Sequence, residues 1–159
     1  VVYQLLYNHG CAKMFIERAH RIVWCTVATV GPDLRPRTRI LHPLWELADE
    51  LTGWIVTRAT PVKVRHLAFS PHLSCGYWEP GQEVAVADCH AEWVGDSATR
   101  QRVWELYRDA RAPLGYDFWS VFPGGPAGES PSVLRLAPYR LRLSDVETLS
   151  GRKEPLVWP

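Results

Sequence analysis

The amino-acid sequence predicts a mainly β protein, with about six antiparallel strands wrapped into a closed or nearly closed barrel and short α-helices at its periphery. Three observations point there. Between residues 83 and 94, and again between 132 and 145, apolar and polar residues alternate with a period of two, which sets one side of each segment against a core. Other runs rich in Val, Ile, Thr and Trp are bounded by Gly, Pro and Asp, the punctuation of short strands. The chain also carries 13 prolines in 159 residues, which suits many turns better than long helices.

Taken in order, "KMFIERAHRI" (13–22) spaces Met14, Ile16, Ala19 and Ile22 for a short N-terminal helix. "VWCTVATV" (23–30) is a strand ending at the turn "GPDL", and the segment after it carries Arg35, Arg37 and Arg39 before running on through Ile40 and Leu41 to Leu44 and Trp45. The two read as a β-hairpin, "LADE" as the next loop and "LTGWIVT" (51–57) as a third strand. In "TPVKVRHLAFSP" (60–71), Thr60 suits a helix N-cap, Pro61 the first helical position and Pro71 the stop. Val64, Leu67 and Ala68 form its apolar stripe, with Lys63 and His66 toward another face. "HLSCGYW" (72–78) and "EVAVADCHAEWV" (83–94) are strands, the second with Ala85, Ala87, Cys89, Ala91 and Trp93 as its core-facing row. "DSATRQRVWELYRDAR" (96–111) is an amphipathic helix with Val103, Leu106 and Tyr107 inward; residues 122–131 form a loop, 132–145 the last strand and about 146–159 a tail. No repeat or linker divides residues 1–159, which form one domain.

Composition narrows the function. With 47% hydrophobic and 22% charged residues the chain can bury a core, and 18 basic against 17 acidic residues leave a net charge of +1. A protein gripping nucleic acid through phosphates shows a clearer basic excess, so no nucleic-acid partner is expected. Cys11, Cys25, Cys75 and Cys89 form no CxxC pair, and the six histidines show no HxxxH or HExxH spacing, so buried reduced thiols and no metal site are expected. No apolar run reaches the ~20 residues of a membrane helix and the N-terminus lacks a signal-peptide layout. The setting these features suggest is cytoplasmic.

The arginines are the local anomaly. On a strand, Arg35, Arg37 and Arg39 point to one face and Thr38 and Ile40 to the other. A row of cations on a half-buried strand needs water or an anion. Lys63, meanwhile, falls in the first turn of a helix, where free N–H groups and the helix dipole favour phosphate. A lysine point charge and an arginine fork are complementary ways to hold one phosphate.

The order of "ATVGPDLRPRTRIL", "GWIVTRATPVKVRHLAFSPHLSCGYW" and "VAVADCHAEWVGD", from about residue 23 to 95, resembles the pyridoxamine 5′-phosphate oxidase-like family of flavin-binding split β-barrels. "VLRLAPYRLRL" looks like that family's late strand. Its pattern is small-Thr-x-x-x-x-Gly-x-Pro with an Arg-bearing strand, then a strand, a Lys-x-x-x-Leu helix and Asn/Ser-Pro. The resemblance implies a single split-barrel domain holding flavin mononucleotide (FMN) between two subunits of a homodimer. It assigns Arg39 and Lys63 to the phosphate, Ile40 and Leu41 to the ring through their backbone, and Val56 and Thr57 to ring and ribityl chain. Val62 takes a slot often filled by Arg or Ser, and Arg37 stands in for the missing contact or faces substrate. Trp45, Trp78 and Trp93 are candidates for ring cover or packing.

The implied activity is an FMN-dependent oxidoreductase passing hydride between flavin and a small organic substrate, with His42 as a candidate for proton transfer. The tail "SDVETLSGRKEPLVWP" lacks the Arg- and His-bearing segment that holds substrate phosphate in true pyridoxamine phosphate oxidases, which argues against vitamin B6 oxidation. Two alternatives stay open: a reductase using the deazaflavin factor 420, whose acidic tail Arg35, Arg37, Arg58 and Arg65 could meet, and a non-enzymatic flavin- or haem-binding module.

Overall fold

The computed structural model describes residues 2–159, with side chains from Asn8 onward. Helix α1 (Val2–Ile22) leads into β1 (Cys25–Val30), β2 (Pro36–Leu41), β3 (Leu44–Leu47) and β4 (Leu51–Thr57). Helix α2 (Pro61–Phe69) precedes β5 (His72–Trp78) and β6 (Val84–Trp93). Helices α3 (Ser97–Asp109) and α4 (Phe118–Val121) precede β7 (Ser132–Ser144), and α5 (Val146–Leu149) precedes β8 (Leu156–Trp158).

The strands form one antiparallel sheet in the order β2-β1-β5-β6-β7-β4-β3, with β8 paired to β7. The first and last strands of that path are separated in sequence only by His42 and Pro43. Three residue steps span about 10 Å at most, so the two edges are drawn together and the sheet must curl. β2 and β3 nevertheless share no ladder, and the barrel stays split rather than closed. Eight strands replace the six expected. Pro43 has no N–H to give a ladder, so it cuts the Arg-bearing segment at Leu41 and frees Leu44–Leu47 to pair with β4. The expected tail supplies α5 and β8.

The barrel interior is built on the alternation of β6, where Ala85, Ala87, Cys89 and Ala91 are all buried. These small side chains leave room for Trp45, Tyr77, Leu136 and Leu141 and for α1, which covers one side with Cys11, Phe15 and Ala19. Helix α1 starts well before the expected residue 13. Of its expected face Ala19 is buried and Ile16 and Ile22 pack on the core, whereas Met14 is 50% exposed and Phe15 takes its place. A second core packs Leu44, Trp54, Val56 and Val133 under Val103, Tyr107 and Phe118. All four cysteines are buried and unpaired.

Two local departures bear on the site. The turn from Gly31 to Leu34 closes with a 2.9 Å bond, and Leu34 has φ 58°, a left-handed conformation that glycine adopts more cheaply. In α2 Leu67 is buried as expected, but His66 is buried beside it, whereas Val64 and Ala68 are exposed.

Candidate functional site

In the β1–β2 ladder Cys25 faces Leu41, Val27 faces Arg39 and Thr29 faces Arg37. Cys25, Val27 and Thr29 are buried, so the arginines of β2 share the side of the sheet that carries the core. β2 is the edge strand, and there that side meets the open seam. Arg39 is half-buried; its Nη1 donates to Thr29 Oγ1 at 2.8 Å, and burial pulls its pKa below the usual guanidinium value. Arg37 stays exposed, 4.0 Å from Asp33 across its own turn. Ile40 points to the outer face opposite Thr26 and is 61% exposed.

The second cation comes from the other side of the seam. β4 ends at Thr57, and α2 begins at Pro61 after a three-residue link. Lys63 Nζ donates to Thr57 Oγ1 at 2.7 Å and to the Arg58 carbonyl at 2.9 Å. Its pKa is lowered first by burial and then by repulsion from Arg39 and Arg58. Lys63 therefore senses both guanidinium groups, and no carboxylate of the described residues lies within 4.0 Å of Arg39, Arg58 or Lys63. The first intrahelical bond shown here runs from Val64 N to Thr60 O, and the first-turn amides ahead of it lack intrahelical partners. Like charges drawn together, braced only by neutral oxygens beside a helix start, are arranged to receive an anion.

The other sequence-derived residues divide. The Thr57 hydroxyl joins the cluster through Lys63, whereas the Val56 side chain belongs to the second core and leaves only its backbone to a ligand. Leu41 packs on the barrel core, and the Val62 side chain is exposed. His42 lies in an aromatic nest, 4.6 Å from Trp24, 5.2 Å from Tyr116 and 6.0 Å from Tyr107 between ring centroids. Its Nε2 is buried without a hydrogen-bond partner, and burial lowers its pKa. Trp45 is interior, with Nε1 donating to Tyr77 Oη at 2.8 Å, and Trp93 packs against the same core; of the three tryptophans only Trp78 is largely exposed. Sequence reasoning missed Thr29 and His66, which stand directly behind Arg39. The available signal was the strand alternation that buries Thr29 with Cys25 and Val27.

A curled antiparallel sheet with an unpaired seam, and a helix start beside that seam, defines the split-barrel class. The chain has the split-barrel fold of the pyridoxamine 5′-phosphate oxidase-like proteins. A pyridoxamine 5′-phosphate oxidase-related, FMN-binding protein from Nostoc punctiforme superposes with a TM-score of 0.61 at 17% identity, over 92% of this chain and 86% of its own. A NimC/NimA family protein from Clostridium acetobutylicum gives 0.67 at 12% identity, over 99% and 100%. The haem storage protein HutZ from Vibrio cholerae gives 0.58 at 17%, over 77% and 85%. No protein-family model and no curated protein sequence matches the chain.

Proposed function

We propose that the protein is an FMN-dependent oxidoreductase whose cofactor phosphate is held by Arg39, Lys63, the Thr57 hydroxyl and the start of α2. The observation that carries this reading is that Arg39 Nη1 sits 2.8 Å from the Thr29 hydroxyl while Lys63 lies one helical turn before His66, whose Nδ1 is 3.0 Å from that same hydroxyl, with no carboxylate of the described residues within 4.0 Å of either cation. A phosphate dianion supplies the missing charge, and the donors present fit it: a guanidinium, an ammonium and free backbone N–H groups. Arg37 is the candidate for a further contact, Ile40, Leu41 and Val56 would lie along the ring through their backbone, and Val62 offers only its N–H. When bound, FMN supplies hydride transfer to or from a small organic substrate. This chain's part is to bind and orient it; His42 is a candidate for proton transfer only where a substrate reaches its Nε2, which is buried without a partner.

Arg39 and Lys63 are only partly buried and Arg58 is exposed, so the cation pair is open to solvent in the single chain. That favours a homodimer in which a second subunit covers the ring. The test is the absorption spectrum and mass of the small molecule that copurifies with the protein. Flavin bands with the mass of FMN are expected; a colourless protein that takes up no added FMN would refute the reading. The unpaired, exposed Arg35, Arg58 and Arg65 favour one competing cofactor, a deazaflavin with a long acidic tail, and the same spectrum separates the two. A haem-type spectrum, as the haem-storing structural neighbour raises, or bound flavin without turnover, would instead make the protein a binding module.

A further inference from the structure

His66 lies on α2 one turn beyond Lys63 and is almost wholly buried, 2% exposed, yet it makes none of the proposed anion contacts. What it touches is Thr29: His66 Nδ1 and Thr29 Oγ1 are 3.0 Å apart. Thr29 Oγ1 is also the atom that braces Arg39, at 2.8 Å from Nη1. A guanidinium has only hydrogens to offer, so Arg39 donates and Thr29 accepts. With one lone pair of Oγ1 taken by Arg39, the hydroxyl proton of Thr29 is free to be donated to His66 Nδ1, and the relay takes this arrangement, with the ring proton on Nε2. Gly31 makes room on that side, since a Cβ there would stand 2.5 Å from Nε2.

We infer that Thr29 and His66 are positioning residues for the anion site, a two-link relay that sets the guanidinium of Arg39 and registers it against Lys63. The inference rests on the reading of Arg39 as a phosphate ligand. Arg39 Nη1 is committed to β1, to Thr29 Oγ1 at 2.8 Å and more weakly to the Val27 carbonyl at 3.4 Å, which fixes the plane of the fork and leaves Nη2 and Nε for the phosphate. Because His66 and Lys63 ride on the same helix, the bond to Thr29 pins α2 against β1 and holds both cations in one frame. A long arginine side chain ordered before the ligand arrives loses less freedom when it binds. A histidine buried only for packing would have no reason to share its acceptor with the hydroxyl that carries Arg39.

The experiment is a double-mutant cycle on FMN affinity, measured by quenching of flavin fluorescence, with inorganic phosphate as competitor. Thr29→Val and His66→Leu are each expected to weaken FMN by about tenfold. Thr29→Ser keeps the hydroxyl, and His66→Asn puts Oδ1 where Nδ1 accepted, so both are expected within about threefold of the parent protein. In an Arg39→Ala background Thr29→Val should cost less than about twofold, because no guanidinium remains to be positioned. Independent losses from Arg39→Ala and Thr29→Val would overturn the relay while leaving the phosphate site standing. A parent protein that binds neither FMN nor phosphate would overturn the site and the relay together. Imidazole 15N NMR of the unsubstituted protein gives a check that needs no variant: a His66 proton found on Nδ1 rather than Nε2 would overturn the relay.

Discussion

Tyr107→Phe is the sharpest test of how the barrel holds the segment that follows Arg39. The Tyr107 hydroxyl is buried where three strands meet. It accepts from Leu44 N at 3.1 Å and lies 2.8 Å from the Trp54 carbonyl and 3.0 Å from that of His42. One hydroxyl proton serves one acceptor at a time, and Trp54 is the nearer. Removing the oxygen leaves the ring and its packing in place, so there is no cavity. What is lost is one O–H···O bond, worth about 1 kcal/mol, and the partner of the Leu44 N–H, whose burial unpaired costs about 1–3 kcal/mol. The expected loss is therefore about 2–4 kcal/mol. An unfolding entropy of about 2.1 cal/mol/K per residue over 159 residues puts the fall in Tm at about 6–12 °C. Urea denaturation should show a lower midpoint at unchanged slope, with calorimetry giving Tm. A fall of less than about 2 °C would mean that the hydroxyl does not tie β2, β3 and β4 together, and the account of the His42–Leu44 corner would have to be abandoned.

Four other outcomes are expected. Lys63→Ala should weaken FMN by about 10- to 150-fold, the effect of losing one charge-assisted contact of about 1.5–3 kcal/mol, and unchanged affinity by fluorescence titration would remove Lys63 from the site. His20, whose Nε2 accepts from Trp45 N at 2.9 Å, and His42 both have pKa values lowered from 6.5 by burial. The unfolded chain thus takes up their protons first on acidification: stability should fall as pH drops below about 6.5 toward the folded pKa values, and His20→Gln should flatten that slope in denaturation curves taken across the range. Leu34→Gly should stabilise by up to about 1 kcal/mol, because it relieves a left-handed residue whose side chain is 73% exposed, and a lower Tm would contradict the strain. The four buried thiols should resist a thiol-specific dye in the native state and all react after unfolding; rapid labelling of Cys25 or Cys75, whose pKa values are raised, would show an opening that the structure lacks.

How much of this was legible in the sequence depended on contrast between faces. β6 was read correctly because Ala, Cys and Trp alternate with Asp, His and Glu, so only one register buries the apolar row. On α1 only Met14 was misplaced, because Met14, Phe15 and Ile16 are consecutive and apolar and spacing alone cannot choose among them; the barrel chose Phe15, which packs edge-on against Trp45 at 4.9 Å. β3 has four residues and no alternation of its own, and only its pairing with β4 makes it a strand. In α2 residue polarity misled: the valine is exposed and the histidine buried, because a hydroxyl on β1 was waiting for the histidine.

That exchange follows from the split in the barrel. In a closed barrel the inward side of β2 would face packed side chains, and an arginine opposite Val27 would carry an uncompensated charge into the core. The break at Pro43 leaves β2 without a neighbour beyond it, so the same position is half open, and Arg39 can be partly desolvated yet reachable. Part of its hydrogen-bonding need must then be met from the protein side, which requires a polar group on β1 and a second one to orient it. Thr29 and His66 meet that requirement. Lys63 reaches the same region from α2, held by Thr57 and the Arg58 carbonyl, with its pKa lowered by burial and then by Arg39 and Arg58. If the relay were only a packing solution, Lys63 could sit anywhere on the helix; its place one turn before His66 brings both cations to the seam.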